Sequence, residues 1–431
     1  MSARPNLSEF TIVPASPSQV EQHARAAFVP WSRNRSWETF WGEAEKEKRA
    51  GTWAQDDAMV CWVLVRKDRV HGDIYAGCET YRRKALYRRE GSEESELESA
   101  WMYGIASVVT PVNHLRMGFA TRMLQLLHYM LADPATLPPF PEAWGSPPPR
   151  PIHRNPSPHV SRRPLGQRNV SLASLQRGPS PDFLPASIAS ILWSDVGYTF
   201  YEKCSVGETL PGWVANAKEN TEIVWSLLRP TPGALDDWEV LDRSALRKVT
   251  PTIASAAAAS LASAPKDAPA WCIDPSSPGV LSFVPFRDVD SALEPPPGVL
   301  NVGLRLKSKS PTTTKSSVEQ DTIVLLALHN TAIGPRLLIT NLCNVQPEHL
   351  PSLLRALDVL GAEIGRAEGW AFGIAPDHPL AEAWKAETGR RVTVGPRADV
   401  KGHLLGVAWY GKGDGRGKRG TLVDTQMWGW C

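Results

Sequence analysis

The stretch Ser107–Leu127, SVVTPVNHLRMGFATRMLQLL, limits the possible folds of this chain more than any other. A β-branched run stops at Pro111, a short polar loop carries Gly118, and an apolar segment with helical spacing runs from Phe119 to Ala132. Proline gives no amide to a ladder, so a central strand ends there. Apolar residues spaced three and four apart predict a helix that buries one face. A strand, a glycine loop and a helix in succession are an α/β signature.

The flanking segments extend it. Glu9–Val13 reads as a short strand closed by Pro14, followed by a helix from Pro17 to about Phe28 with Ser16 as N-cap. Ser36–Ala50 reads as an amphipathic helix with Trp37, Phe40 and Trp41 on one side. Ala58–Arg66, Asp73–Arg82 and Ala100–Thr110 are strand candidates. The expected order is strand, two helices, three strands, helix.

Residues 134–185 are dense in proline, with Pro147, Pro148 and Pro149 in a row, and nearly all their charge is arginine. Such a segment buries too little apolar surface to offset its ordering entropy, so it is expected to be a largely disordered insertion. Two roles fit it: a solvated loop, or an arm that binds a protein partner. Ile188–Ser194 then reads as a buried strand, followed by a short helix with Phe200 and Tyr201. Thr221–Arg229 is taken as the last strand of a first unit spanning residues 1–245.

Residues 246–431 are expected to form a second α/β unit. It opens with an Ala/Ser-rich helix. Its strands are read at Thr322–His329, Pro335–Asn341, Trp370–Ile374 and His403–Tyr410, and its helices at 347–368 and 380–387, with a polar loop at 307–320. The turn Thr340–Pro347 runs from strand to helix without a glycine such as Gly118, so no second loop of that kind is expected. This unit is expected to be either a degenerate copy of the first or an α/β lid over it.

Charge and cysteine usage exclude several classes. Lys+Arg 47 against Asp+Glu 45, a net charge of +2, argues against a nucleic-acid binder. The six cysteines show no CxxC pair or metal-ligand spacing, so reduced thiols and no metal are expected. The amino terminus lacks a signal-peptide core, and the weakly apolar stretch Ile253–Ala264 is too short to span a bilayer. A soluble, cytoplasmic protein is the expectation.

Glycine in the 115–120 loop lets backbone approach a ligand where a Cβ would clash. Amides at the start of the helix point outward with the helix dipole behind them, which suits a pyrophosphate. A plain strand–loop–helix connection shares this pattern, and one glycine does not separate the two.

Two motifs carry a resemblance. The loop positions Leu115, Arg116, Met117, Gly118, Phe119 and Ala120 match the Q/R-x-x-G-x-G/A phosphate loop at the Gly and the final Ala. Leu115 stands where Gln or Arg is usual, and Arg116 follows it. The second is Trp193–Cys204, WSDVGYTFYEKC, whose Phe200-Tyr201-Glu202-Lys203 fits the L/F-Y-x-K pattern. With the order of elements, the chain over about residues 7–230 resembles the GNAT superfamily of acyl-CoA-dependent N-acyltransferases. The SDVG-x-x-FY signature, the long split between the motifs and a C-terminal Trp/Cys ending also look like the fungal lysine acetyltransferases, which acetylate the 6-amino group of free L-lysine.

The resemblance implies a mixed central sheet flanked by helices, acetyl-CoA as cosubstrate and a small-molecule amine as acceptor, with direct attack through a tetrahedral intermediate. It implies that Leu115–Ala120 and Thr121 hold the pyrophosphate, that main-chain amides of a bulged fourth strand at Ser107, Val108 and Val109 stabilise the oxyanion, and that Ser194 contacts the pantetheine. It gives Tyr201 the role of proton donor to the departing thiolate. An alkylammonium with a pKa of about 10.4 must lose a proton before it attacks. Glu98 and Asp195 are the candidate acceptors of that proton, though Glu98 also reads as a solvated strand-end charge and Asp195 as a helix N-cap. Trp31, Trp37 and Trp41 are candidate walls of the acceptor pocket, or simply core. Other readings are acylation of a different small amine, acetylation of protein lysines, and a non-catalytic CoA-binding scaffold.

Overall fold

A computed structural model describes residues 5–92, 97–150, 184–291, 301–307, 321–331, 334–411 and 419–430. Two mixed sheets organise them. The first half begins with β1 (Phe10–Pro14), α1 (Pro17–Trp31) and α2 (Trp37–Ala50). Next come β2 (Met59–Arg66), β3 (Ala76–Arg88), β4 (Glu98–Val109) and α3 (Phe119–Leu131). Ser16 and Ser36 sit at the N-caps of α1 and α2, and the expected order of elements holds throughout.

β5 (Ala189–Val196) and the short α4 (Tyr198–Glu202) follow. β6 (Thr221–Ser226), β7 (Trp238–Asp242), α5 (Leu246–Ala262), β8 (Ala270–Ile273) and α6 (Val280–Ser291) come next. Then come β9 (Asn301–Leu306), β10 (Ile323–Thr331), β11 (Gly334–Cys343) and α7 (Leu350–Glu363). The chain ends through β12 (Glu368–Phe372), α8 (Pro379–Lys385), β13 (Val392–Pro396), β14 (Val400–Trp409) and β15 (Thr421–Leu422).

The first sheet runs β1-β2-β3-β4-β5-β14, with β8 pairing the far half of β3 and β15 pairing β8. The second runs β13-β6-β12-β11-β10-β9-β7. In both, an antiparallel meander leads through a helix into a parallel strand: β2-β3-β4, α3, β5 in the first, and β9-β10-β11, α7, β12 in the second. Each sheet also takes a strand from the other half of the chain. β6 pairs β12 and β14 pairs β5, both antiparallel.

Strand membership therefore departs from a division at residue 245. β6 and β7 belong to the second sheet, and β14, read from sequence as a strand of the second unit, belongs to the first. Alternation in TEIVWS identifies a half-buried strand but not its partner. Its Ile223 and Trp225 pack with Trp384 of α8 in the core of the second sheet.

α3 covers the outer face of the first sheet, burying Met123, Leu124, Leu127 and Met130 against Ile12, Leu64 and Ile105. A common core lies between the two sheets, where Met102, Ile191 and Trp271 of the first share a cluster with Leu325, Leu338 and Trp370 of the second. α6 joins this cluster through Phe283 and Phe286, and α2 packs on α6.

The proline-rich insertion is partly ordered. Residues 134–150 form two 3-10 turns, Pro134–Thr136 and Glu142–Trp144, laid on α3. Phe140 and Trp144 pack edge-on with each other and with Tyr129, while Arg122 donates to the Trp144 carbonyl. Aromatic burial supplies what the proline content alone does not suggest. Residues 151–183 of the insertion and 308–320 of the polar loop lie outside the described residues. Cys61, Cys78, Cys204, Cys272 and Cys343 are buried free thiols. Among the described residues, no helix is long and apolar enough to cross a membrane.

Candidate active site

The two central strands of the first sheet part company. The parallel ladder of β4 and β5 runs from Met102↔Ala189 to Ile105↔Leu192 and ends there. Beyond it, β4 stays with β3 as far as Gly77↔Val109, whereas β5 stays with β14 as far as Val196↔Val400. Each strand is held by its outer neighbour, so Ala106–Val109 and Trp193–Val196 diverge. Main-chain groups on the inner edge of such a splay can bind an extended ligand in strand fashion.

β4 also carries a bulge at this point. Glu79 pairs Ala106 and Gly77 pairs Val109, so Ser107 and Val108 together oppose Cys78. Ser107 has φ +52°, a left-handed conformation that a non-glycine residue adopts only when its surroundings hold it there. Its hydroxyl donates to Glu79 Oε2 at 2.7 Å, and His23 Nε2 donates to its carbonyl at 2.9 Å. Glycine at position 77 makes the second bond possible, because a Cβ there would overlap the His23 ring.

Past the bulge, the loop comes to the surface. Leu115 is 52% exposed and Met117 37%, and Arg116 and Gly118 take φ +63° and +87°. Gly118 is the N-cap of α3, so the amides of Phe119, Ala120 and Thr121 head the helix without intrahelical carbonyls. Exposed loop, positive φ at Gly118 and open amides together fit a pyrophosphate cradle.

Tyr201 lies on the α3 side of the sheet, packed in the cluster that contains Cys78, Cys204 and Trp213. Burial, with Cys204 and Asp195 nearby, raises its phenol above the ordinary range, so it stays protonated at neutral pH. A closed hydrogen-bond chain anchors its surroundings. Trp213 Nε1 donates to Ser190 Oγ at 2.9 Å, and Ser190 Oγ lies 2.7 Å from the Tyr410 hydroxyl. His128 receives the Tyr410 hydroxyl on Nδ1 at 2.7 Å and donates from Nε2 to the Cys204 carbonyl at 2.9 Å. Burial pushes the His128 pKa down to about 3, and the neutral ring has the one donor and one acceptor this chain requires.

The opposite face of the sheet carries charge. Gly77, Glu79, Tyr81 and Arg83 alternate onto the face covered by α1, α2 and α6. Around Glu79 stand His23 of α1, Lys48 of α2, Arg287 of α6, Cys61 of β2 and the Tyr81 hydroxyl at 3.1 Å. Burial pushes the carboxyl up, yet His23, Arg287, the Ser107 hydroxyl and Lys48 outweigh it and hold Glu79 below the usual carboxylate range. For His23, burial disfavours the charged ring, but Cys61, Glu79 and the Ser107 carbonyl raise its pKa to about 9. Glu47, bonded to Trp53 Nε1 at 2.9 Å and paired with Arg287 at 3.3 Å, completes the cluster.

Several residues singled out from the sequence lie elsewhere or are already engaged. Glu98 begins β4 and pairs with Arg89 at 2.7 Å. It is nine steps along the strand from Ser107, roughly 30 Å of extended chain, so it is remote from the splay. Asp195 lies within β5, where it accepts from the His403 amide and pairs with His403 Nδ1 at 2.8 Å; the N-cap of α4 is Gly197. The Ser194 hydroxyl is buried and donates to the Gly197 carbonyl at 2.8 Å, closing the turn into α4 instead of facing a ligand. Trp37 and Trp41 stack on each other, with Phe28 beside Trp37 and Lys48 over Trp41, while Trp31 is 38% exposed. Sequence reading missed His23 and Glu79. The signal lay in Gly77-x-Glu79 within an alternating strand, but the register was needed to bring them together.

No protein-family model matches this chain, and no curated protein does. Among solved structures it is similar to a GCN5-related N-acetyltransferase from Kribbella flavida, 11% identical, with TM-score 0.44 over 93% of this chain and 71% of that one. It is also similar to a GCN5-related N-acetyltransferase from Anabaena variabilis, 10% identical, with TM-score 0.45 over 93% and 73%. A third similar structure, Eis1 from Mycobacterium abscessus, is 10% identical, with TM-score 0.37 over 93% and 73%.

Proposed function

We propose that this chain is an acetyl-CoA-dependent N-acetyltransferase acting on a small-molecule amine, with the 6-amino group of free L-lysine as the first acceptor to test. The observation that carries the reading is the splay of β4 from β5 beside a bulge at Ser107, leading into an exposed loop with Gly118 heading α3. The loop and the first amides of α3 would hold the pyrophosphate, and the free edge of β4 would align the pantetheine. Amides at Ser107–Val109 would face the thioester oxygen, where charge develops during attack. Tyr201, protonated on the α3 side, would supply the proton that leaves with sulfur. The Phe200-Tyr201-Glu202-Lys203 motif supports this role, and the SDVG-x-x-FY signature supports lysine as acceptor.

The C-terminal half would close the acceptor side. Arg83 of β3 donates to the carbonyls of Gly429 and Trp430, and Trp428 is buried in the core shared by the two sheets. Its buried free thiols suit a reducing cytosol. The test is thiol release from acetyl-CoA across L-lysine, ornithine, polyamines, arylalkylamines and a histone-tail peptide. Saturable release with L-lysine, and a product acetylated on N6, is the expected result. Release with another amine alone would replace the acceptor, and acetyl-CoA binding without turnover would favour a scaffold.

A further inference from the structure

The acid side of this reaction has a candidate in Tyr201, but Glu98 and Asp195 leave the base side vacant. We propose that Glu79 seats the ammonium of the acceptor and takes its proton, held at the bulge by the hydroxyls of Ser107 and Tyr81; this rests on the transferase reading above.

Position carries the argument. Glu79 is directly opposite Ala106, at the residue where β4 leaves β5, and its Oε2 is bonded to the side chain of the bulge itself. A carboxylate there lies beside the point where a thioester threaded through the splay would present its carbonyl. Tyr201 belongs to the outer face and Glu79 to the inner one, so proton acceptor and proton donor approach the same carbon from opposite sides of the sheet. In the tetrahedral intermediate nitrogen and sulfur occupy separate positions on one carbon, so a base on one side and an acid on the other can serve them without competing for the same space.

The surroundings set the charge at the site. Glu79 keeps partial exposure, as do Lys48 and Arg287, while His23 and Tyr81 beside it are buried. His23, Arg287 and Lys48 keep Glu79 ionised before the acceptor arrives, while Glu47 shares Arg287 and limits the positive charge. His23, Arg287 and Lys48 face the same carboxylate and disfavour a further positive charge beside it, so a seated ammonium is driven toward its neutral form.

The balance is that of an ordinary acyl transfer. Glu79 takes one proton from the ammonium and passes it to solvent. The freed lone pair attacks the carbonyl carbon, a C–N bond forms and the C–S bond breaks. Sulfur leaves with the Tyr201 proton, and the second proton shed by nitrogen replaces it, so one proton is released per turnover.

Glu79→Gln keeps an acceptor for Ser107 and Tyr81 but removes the charge and the base. With L-lysine, thiol release is expected to fall about a hundredfold. With hydroxylamine, uncharged near neutral pH and needing no base, the variant should match the parent, and calorimetric binding of acetyl-CoA should be unchanged. Glu79→Asp, with its charge one methylene further away, should fall between the two with L-lysine. Equal losses with both nucleophiles, undiminished turnover of L-lysine, or lost acetyl-CoA binding in Glu79→Gln would each overturn the assignment. A parent that binds acetyl-CoA yet releases thiol with neither nucleophile would overturn the transferase reading, and this proposal with it.

Discussion

Ser107 and Glu79 meet across the β3–β4 ladder, hydroxyl to carboxylate at 2.7 Å, at the one bulge in that ladder. The bond is part of what keeps Ser107 at φ +52°. A residue held there costs on the order of 1–3 kcal/mol, which the surrounding contacts must outweigh. Ser107→Ala keeps the strain and removes the bond, and should cost about 2 kcal/mol, since the acceptor left behind is charged. Ser107→Gly removes the bond but relieves the strain, so it should cost less. Urea unfolding of the two variants gives the order, and a more stable Ala variant would contradict it.

The same cluster sets a pH dependence of stability. The His23 pKa is about 9 in the folded chain against 6.5 when unperturbed, so its contribution is complete below about pH 6.5 and disappears as pH rises through 9. A shift of that size corresponds to about 3 kcal/mol. His128 works in the other direction. Its folded value of about 3 means the unfolded chain binds the extra proton between pH 6.5 and 3, so stability falls there as pH falls. Unfolding midpoints measured from pH 5 to 9.5 should therefore pass through a maximum. His23→Gln, which can still donate to the Ser107 carbonyl, should flatten the alkaline side and leave the acid side alone.

What could be read from sequence, and what could not, divides along one physical line. Local patterns carried the elements: Ser16 and Ser36 cap α1 and α2, Pro111 follows the end of β4, and Phe119 starts α3. Pairing between distant segments is not local. Nothing in TEIVWS says that Ile223 belongs with Trp384, and nothing in HLLGVAWY says that Leu405 pairs with Trp193. The site shows the same divide. The backbone conformation of Gly118 was legible because it is local, whereas Glu79, His23 and Ser107 are 28 and 84 residues apart along the bonds that join them. Glu98 drew notice as a carboxylate near the start of a strand; its distance from Ser107 follows from strand rise once direction along β4 is considered.

Gly118 offers a test of the loop. A Cβ there would lie 3.3 Å from Leu7 Cδ1 and would be held at φ +87°, so Gly118→Ala should lose about 1 kcal/mol of stability. Its larger effect should be on acetyl-CoA, whose KM is expected to rise several-fold while kcat changes little. Gly118→Glu places a negative charge at the head of α3 and should weaken binding much further than alanine does. Calorimetric titration with acetyl-CoA separates the two, and equal affinity in both variants and the parent would move the pyrophosphate away from this loop.

Tyr201 depends on the other half of the chain for its position. Asp399, just before β14, accepts the Tyr198 amide at 2.9 Å and so holds the start of α4, and its carboxylate lies against the space a Cβ would occupy at Gly197. α4 is only 5 residues long and cannot sustain itself without such anchors. Tyr201→Phe should reduce kcat by about a hundredfold with little change in the KM of acetyl-CoA, as expected for a lost general acid. Asp399→Ala leaves the phenol in place but frees the helix that carries it. It should lower kcat by a smaller factor, and Asp399→Asn, which can still accept the Tyr198 amide, should restore most of the loss. Glu98→Gln, at the far end of β4, should leave both constants unchanged. Steady-state kinetics on the four variants decide the matter: a Glu98 variant as impaired as the Tyr201 variant would place the chemistry at the wrong end of the strand.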